Sequence, residues 1–211
     1  MKTTQRKGKA AFTLIELMAV ITIIVILAAL VVGGLGYVTE KQASSKAKVQ
    51  ISLLSKALEE YKMDTGSYPA TANASGSNPA KDNTGLLYQA LFYEGYDYSK
   101  QATPPATWTK RIGTVDVPKA TKIYLTDLDP RTSKQGWVDP VTTTEPPATA
   151  TIKDPWGTQY RYRSAAAPAG TTNSDTINPD FDLWSSGKDG NTNPNGNSAS
   201  DKKINADDIK N

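Results

Sequence analysis

The chain has 211 residues, a formal net charge of +3, and neither Cys nor His. That composition excludes a Ser-His-Asp triad, a cysteine nucleophile, an ordinary Cys/His zinc site and any disulfide, while chemistry built on carboxylates, Lys or Tyr stays open. Lys2, Arg6, Lys7 and Lys9 crowd the first eleven positions, so the remainder carries about −1 and holds no basic stripe to suggest nucleic acid.

The length suits one membrane element and one modest domain. Residues 1–11 read as a basic leader. Phe12-Thr13-Leu14-Ile15-Glu16 follows, and from Leu17 to Thr39 the chain has no charged residue. At a rise of about 1.5 Å per residue, a helix over that run just crosses the hydrocarbon core of a bilayer. The exception is Glu16 at its edge. A charge deep in a membrane helix costs roughly 2.5–3.5 kcal/mol on insertion scales, so it calls for a partner. A cut between Ala11 and Phe12 would create one, because Phe12 would gain an α-amino group four residues from Glu16.

The helix is expected to continue past the membrane. No Pro or Gly interrupts Val38–Met63, and Val49, Leu53, Ala57 and Tyr61 recur at i+4 with Ile51, Leu54 and Leu58 beside them. That pattern predicts an apolar stripe resting on a soluble domain. Asp64-Thr65-Gly66 should end the helix, with Gly66 as a left-handed cap and Pro69 soon after. The organisation read from these signals is a transmembrane half at 12–39, an amphipathic half at 40–66, and a head at 67–211.

Within the head, residues 70–83 read as a loop and Thr84–Tyr93 as a short second helix. Residues 94–150 are rich in Tyr, Thr and Pro and offer one strand, Lys122–Thr126, between Pro-rich stretches at Thr103–Ala106 and Thr142–Ala150. Asp154-Pro155-Trp156-Gly157 is a turn, and Gln159–Arg163 alternates as a strand does, with Arg161 and Arg163 expected to face solvent. A loop with Pro168 and Gly170 leads to a second alternating strand, Phe181–Ser185. Ser186-Gly187-Lys188-Asp189-Gly190 is a tight turn, and a polar tail runs to Ala206-Asp207-Asp208-Ile209. Trp108, Trp137, Trp156 and Trp184 are expected to pack in the core and sheet.

Two sets of motifs carry a resemblance. The basic leader, Phe-Thr-Leu-Ile-Glu and the apolar run resemble the type III prepilin signal shared by type IV pilins and the pseudopilins of type II secretion. Ala11 stands where that family nearly always has Gly. Thr84-Gly85-Leu86 with Gln89-Ala90-Leu91, Asp154-Pro155-Trp156-Gly157 with Tyr160, Trp184–Gly190, and Asp207-Asp208-Ile209 resemble the major pseudopilins, the G subunits. Two stretches depart by their length: 92–150, an insertion, and Thr192–Asn205.

The resemblance implies an α+β pilin-like fold, with a long N-terminal membrane-spanning helix packed on a small antiparallel β-sheet. It implies cleavage by a prepilin peptidase between Ala11 and Phe12, methylation of Phe12, and an assembly role for Glu16. The implied function is a non-enzymatic subunit of a periplasmic pseudopilus that polymerises through its N-terminal helix and drives type II protein secretion. The implied partners are further copies of itself, the prepilin peptidase, other pseudopilins and the inner-membrane assembly platform. The implied location is the inner membrane, single-pass, with the C-terminal domain in the periplasm.

The resemblance also implies a calcium ion in the C-terminal loop 184–211. Asp189, Asp207 and Asp208 would give carboxylates and Ser186 and Asn191 carbonyl oxygens, in keeping with the six to eight hard oxygen ligands Ca²⁺ takes. An EF-hand reading fails, because the sixth position from Asp189 is Pro194 and the twelfth is Ser200. Two alternatives stand beside this reading. One is a type IV or competence pilin of a surface filament. The other is a membrane-anchored hydrolase using Asp154, Asp182 or Asp189, for which no paired-carboxylate spacing is recognisable.

Overall fold

The computed structural model describes residues 12–70, 84–112, 115–132, 136–165, 176–193, 196 and 198–211. The leader with Ala11, most of the 70–83 loop, and Pro168 and Gly170 lie outside them. The chain divides into two units, Met1–Gln42 and Ala43–Asn211.

Helix α1, Leu14–Thr65, runs through the sequence of both units. Its start has a local cause. Thr13 and Glu16 form a capping box: Thr13 N–H donates to Glu16 Oε2 at 2.9 Å, and Glu16 N–H donates back to Thr13 Oγ1 at 3.3 Å. Each end of this exchange satisfies an amide that the first helical turn would otherwise leave open. In the first unit the large apolar side chains described, from Leu14 to Val31, are all at least half exposed. Among the described residues this is the helix long and apolar enough to cross a membrane.

In the second unit α1 buries one face. Ala47, Gln50, Ile51, Leu54, Ala57, Leu58 and Tyr61 are nearly inaccessible, whereas Val49 and Leu53 are exposed. The expected i+4 stripe is therefore corrected. Each step of four residues overshoots a full turn by about 40°, so a pure i+4 row spirals off its face, while alternating steps of three and four keep to it. The helix ends where expected: Gly66 has φ +81°, and its N–H donates to Lys62 O at 2.8 Å.

Against that face pack α2 (Thr84–Tyr88), a π-turn (Gln89–Tyr93) and α3 (Glu94–Ser99), one helical stretch longer than the sequence suggests. Leu87, Tyr88, Leu91 and Phe92 share the core with Trp137, Val138, Ile152, Tyr160, Tyr162, Phe181, Leu183 and Ile209. Each such side chain, fully buried, contributes about 1.5–3 kcal/mol. Two tyrosine hydroxyls inside the core find partners, Tyr160 Oη donating to Gln50 Oε1 at 2.7 Å and Tyr162 Oη to Pro69 O at 3.0 Å, whereas the buried Trp137 Nε1 finds none among the described residues.

Among the described residues, two small antiparallel sheets complete the head. Strands β1 (Thr109–Ile112) and β2 (Val115–Pro118) form a hairpin within the 92–150 stretch. The expected strand at Lys122–Thr126 is absent. There the N–H groups of Tyr124 and Leu125 both donate to Leu91 O, and a Cβ on Gly95 would fall 2.1 Å from Lys122 C. The segment is thus pressed against the helix rather than paired in a ladder.

The second sheet has the order β3 (Arg161–Ser164), β4 (Phe181–Ser185), β5 (Ile209–Lys210). β4 is buried at every position instead of alternating. Its Phe181 and Leu183 meet the core, and its opposite face is covered too. Asp182 there accepts the N–H groups of Ile177 and Asn178 at 2.7 and 2.9 Å. Arg163, expected in solvent, is buried with its guanidinium 5.2 Å from the Trp184 ring centroid. Trp137 and Trp184 are buried, and Trp108 and Trp156 are half-buried. The fold class is α+β, as expected.

Candidate functional site

The C-terminal loop begins where β4 stops. After Ser185 the chain turns through Gly187 and Gly190, with φ of +64° and +69°. Gly187 also meets a steric demand: a Cβ there would lie 2.4 Å from Asp207 O and 2.6 Å from Asp207 Oδ2. The turn therefore rests directly on the Asp pair of the tail. The tail itself is ordered by helix α4 (Ala199–Ile204), whose capping box joins Ser198 to Asp201, and by β5 pairing with β4. Sequence reading gave this stretch as a polar tail, with neither the helix nor the strand.

All five expected ligands lie in this loop. Asp207 Oδ2 accepts the Asp189 N–H at 3.0 Å. Asp189 Oδ1 accepts the Asn191 N–H at 2.8 Å, an Asx turn. The Asp208 side chain is fully buried; its Oδ2 accepts the Thr192 hydroxyl at 2.8 Å, with Lys210 Nζ at 3.9 Å. Among the described residues its Oδ1 has no hydrogen-bond partner, and neither has the buried Ser186 Oγ. Burial raises the Asp208 carboxyl above the usual carboxylate range. The charges of Asp207 and Asp189 add to that rise, while the Thr192 hydroxyl and Lys210 oppose it. Among the described residues no three acidic side chains converge into an all-carboxylate cage. A cation here would need backbone carbonyls as well, as the Ser186 and Asn191 assignments imply.

The loop is tied to the sheet at two points that sequence reading missed. Trp184 Nε1–H donates to Thr192 Oγ1 at 3.0 Å. Ser185 Oγ–H donates to Asp154 Oδ2 at 2.6 Å and accepts the Gly187 N–H at 3.1 Å. Asp154 Oδ1 accepts the N–H groups of Trp156 and Thr158 at 3.1 and 2.8 Å, which closes the Asp-Pro-Trp-Gly turn. Burial raises the Asp154 carboxyl, and these hydrogen bonds oppose the rise. Asp154 and Asp182 thus spend their carboxylates on turn donors. The available signal was an Asp two residues before a turn amide, which marks an Asx motif but not its depth of burial.

At the other end of the chain, Phe12 is exposed and Glu16 lies in the first turn of α1. Besides the capping pair, Thr13 Oγ1–H donates to Glu16 Oε2 at 2.8 Å. Both Thr13 donors converge on Oε2.

The prokaryotic N-terminal methylation motif matches residues 6–32, and the type II secretion system protein G family matches residues 36–112. The chain is 45% identical to the type II secretion system core protein G of Aeromonas hydrophila over 67 residues, 32% of this chain and 47% of that one. The same protein of Pseudomonas aeruginosa is 42% identical over 67 residues, with the same coverage. That of Escherichia coli K12 is 45% identical over 69 residues, 33% of this chain and 46% of that one. The chain spans about half the length of the curated relatives it matches. The crystal structure of the major pseudopilin from the type 2 secretion system of enterohaemorrhagic Escherichia coli aligns over 82% of this chain and 84% of that one, at 18% identity and a TM-score of 0.33. The family match ends before Asp154 and the C-terminal loop.

Proposed function

We propose a function from one premise: this chain belongs with the pilin-like core protein G of type II secretion, the family whose model matches residues 36–112, behind an N-terminal methylation motif at residues 6–32. The protein is a structural subunit of a pseudopilus. It is held in the inner membrane by the first half of α1, with residues 43–211 in the periplasm. A prepilin peptidase cuts between Ala11 and Phe12, and Phe12 is methylated. Subunits then leave the membrane and stack through α1 into a homopolymer, together with other pseudopilins and an inner-membrane assembly platform, and the polymer drives protein secretion. No step calls for a catalytic residue.

The observation that carries this reading is the first unit. A helix that is apolar all round opens on a carboxylate, and its large apolar side chains from Leu14 to Val31 are at least half exposed. Burial by lipid, and then by α1 of neighbouring copies, covers those side chains. Glu16 fits the same account. In a low-dielectric stack an unpaired carboxylate costs several kcal/mol, and the new amine of a neighbouring Phe12 offsets that cost.

The C-terminal loop is read as a calcium site. Asp189, Asp207 and Asp208 would supply carboxylates, and Ser186 and Asn191 carbonyls. Bound calcium would neutralise the crowded acids and cross-link the turn to the tail. The unpartnered, fully buried Asp208 Oδ1 supports this assignment.

The test is the mass of the N-terminal peptide and the cross-linked ladder from membranes of cells with an active prepilin peptidase. The expected N-terminus is methylated Phe12, and Glu16→Ala should insert normally while losing the ladder. Intact Met1, or a full ladder from the variant, overturns the reading. Fibres of the same subunit on the cell surface would favour a type IV pilin instead.

A further inference from the structure

We infer that Thr192 is the positioning residue of the C-terminal acidic loop: its hydroxyl, held by the Trp184 indole, turns the Asp208 carboxylate so that Oδ1 is left for a hard divalent cation. The inference rests on the calcium reading and names a residue which that reading does not.

The argument begins with donor chemistry. An indole N–H can only donate, so the Trp184–Thr192 contact of 3.0 Å must have Thr192 Oγ1 as acceptor. The single hydroxyl proton of Thr192 is then free to point only elsewhere, and the acceptor at 2.8 Å is Asp208 Oδ2. One oxygen of Asp208 is thereby held in a fixed direction, and the other, Oδ1, has no hydrogen-bond partner among the described residues although the side chain is fully buried. A buried carboxylate oxygen left open is costly unless something binds it. Asp189 and Asp207 meet in the same loop, where Asp207 Oδ2 accepts the Asp189 N–H at 3.0 Å.

The anchor is itself buried and strand-bound. Trp184 is 2% exposed, sits in the central strand β4, and carries the Arg163 guanidinium over its ring. Thr192 therefore transmits the rigidity of the sheet to a ligand on the tail, as partners of a metal ligand do when they fix its orientation. The same arrangement makes the Trp184 indole N–H a reporter of the site, two hydrogen bonds from the Asp208 carboxyl.

The experiment uses the full chain in detergent micelles. Calcium is titrated by calorimetry, and the Trp184 Nε1–H resonance is followed by ¹H–¹⁵N spectroscopy, assigned through Trp184→Phe. Thr192→Val keeps the side-chain shape and removes the relay, and it should weaken calcium binding by about 10–100-fold. Thr192→Ser keeps the hydroxyl and should bind close to the parent. In chelator, the Trp184 indole proton should exchange slowly in the parent and in Thr192→Ser and quickly in Thr192→Val. If Thr192→Val binds calcium as the parent does, the inference is overturned and the calcium reading stands. If the parent takes up no calcium and its indole resonance does not move, both fall. Should Thr192→Val fail to fold, Trp184→Phe decides: weakened binding supports the relay, and parent-like binding overturns it.

Discussion

The two halves of α1 share one backbone and are opposite in what they bury. From Leu14 to Val31 every described large apolar side chain is at least half exposed. From Ala47 to Tyr61 the apolar residues sort by face, with Leu54 and Leu58 inaccessible and Val49 exposed. A helix that is apolar all round takes its stability from a surrounding solvent or from other chains, while a helix with one apolar face takes it from its own domain. The head also pairs a buried charge internally: Glu94 is buried, with Lys110 Nζ at 2.5 Å and the Ala120 N–H at 2.7 Å. Among the described residues, the hydrogen bonds to the Glu16 carboxylate come from the hydroxyl and amide of its own Thr13.

The largest effect is expected where the head's internal accounting is broken. Glu94→Ala leaves the Lys110 ammonium and a buried amide without their acceptor, and it should destabilise the head by about 3–5 kcal/mol. Thermal unfolding of the full chain in micelles, followed by near-ultraviolet circular dichroism, measures it. A change below about 1 kcal/mol would mean that the Lys110 end of this pair is solvated like a surface bridge.

A matched pair of truncations sharpens the contrast directly. Leu54→Ala should cost about 2–5 kcal/mol in the same measurement. Leu27→Ala removes the same atoms from the exposed half and should leave head unfolding within about 0.5 kcal/mol of the parent. Equal effects would erase the distinction between the two halves.

The smallest expected effect is a pH slope. Burial raises the Asp154 carboxyl in the folded state, so the native state holds its proton to higher pH than the unfolded chain does. Stability from this group is therefore full at low pH. It declines as pH rises from the unfolded value, about 3.9, through the raised folded one, by at most ~1.4 kcal/mol per pH unit. Asp154→Asn should flatten that part of the stability–pH curve, measured in chelator. An unchanged slope would assign it to another group.

Much of the architecture was legible in local chemistry. The uninterrupted run without Pro or Gly, the Gly66 cap and the alternating Phe181–Ser185 segment correspond to α1, its end and β4, because helix period, capping and strand propensity act between near neighbours. The Thr13–Glu16 capping box was equally visible in the spacing Thr-x-x-Glu and went unread. The acidic loop was legible as a list of residues, since Asp189, Asp207, Asp208, Ser186 and Asn191 do share it, but not as a geometry.

What the sequence determined by itself is therefore the set of properties that depend on composition and short spacing: a charge-free run long enough for a bilayer, an acid at its edge, an α+β order of elements, and acids gathered at the C-terminal end. Tertiary structure decided the rest. It placed Val49 and Leu53 outside, because the i+4 row drifts off the packed face. It turned Lys122–Thr126 away from a ladder, because Leu91 O takes both of its amides. It buried Arg163 on Trp184, and it joined Trp184 to Thr192 and Thr192 to Asp208. Each of these depends on which distant group arrives to cover a face or accept a proton, and no local periodicity encodes that arrival.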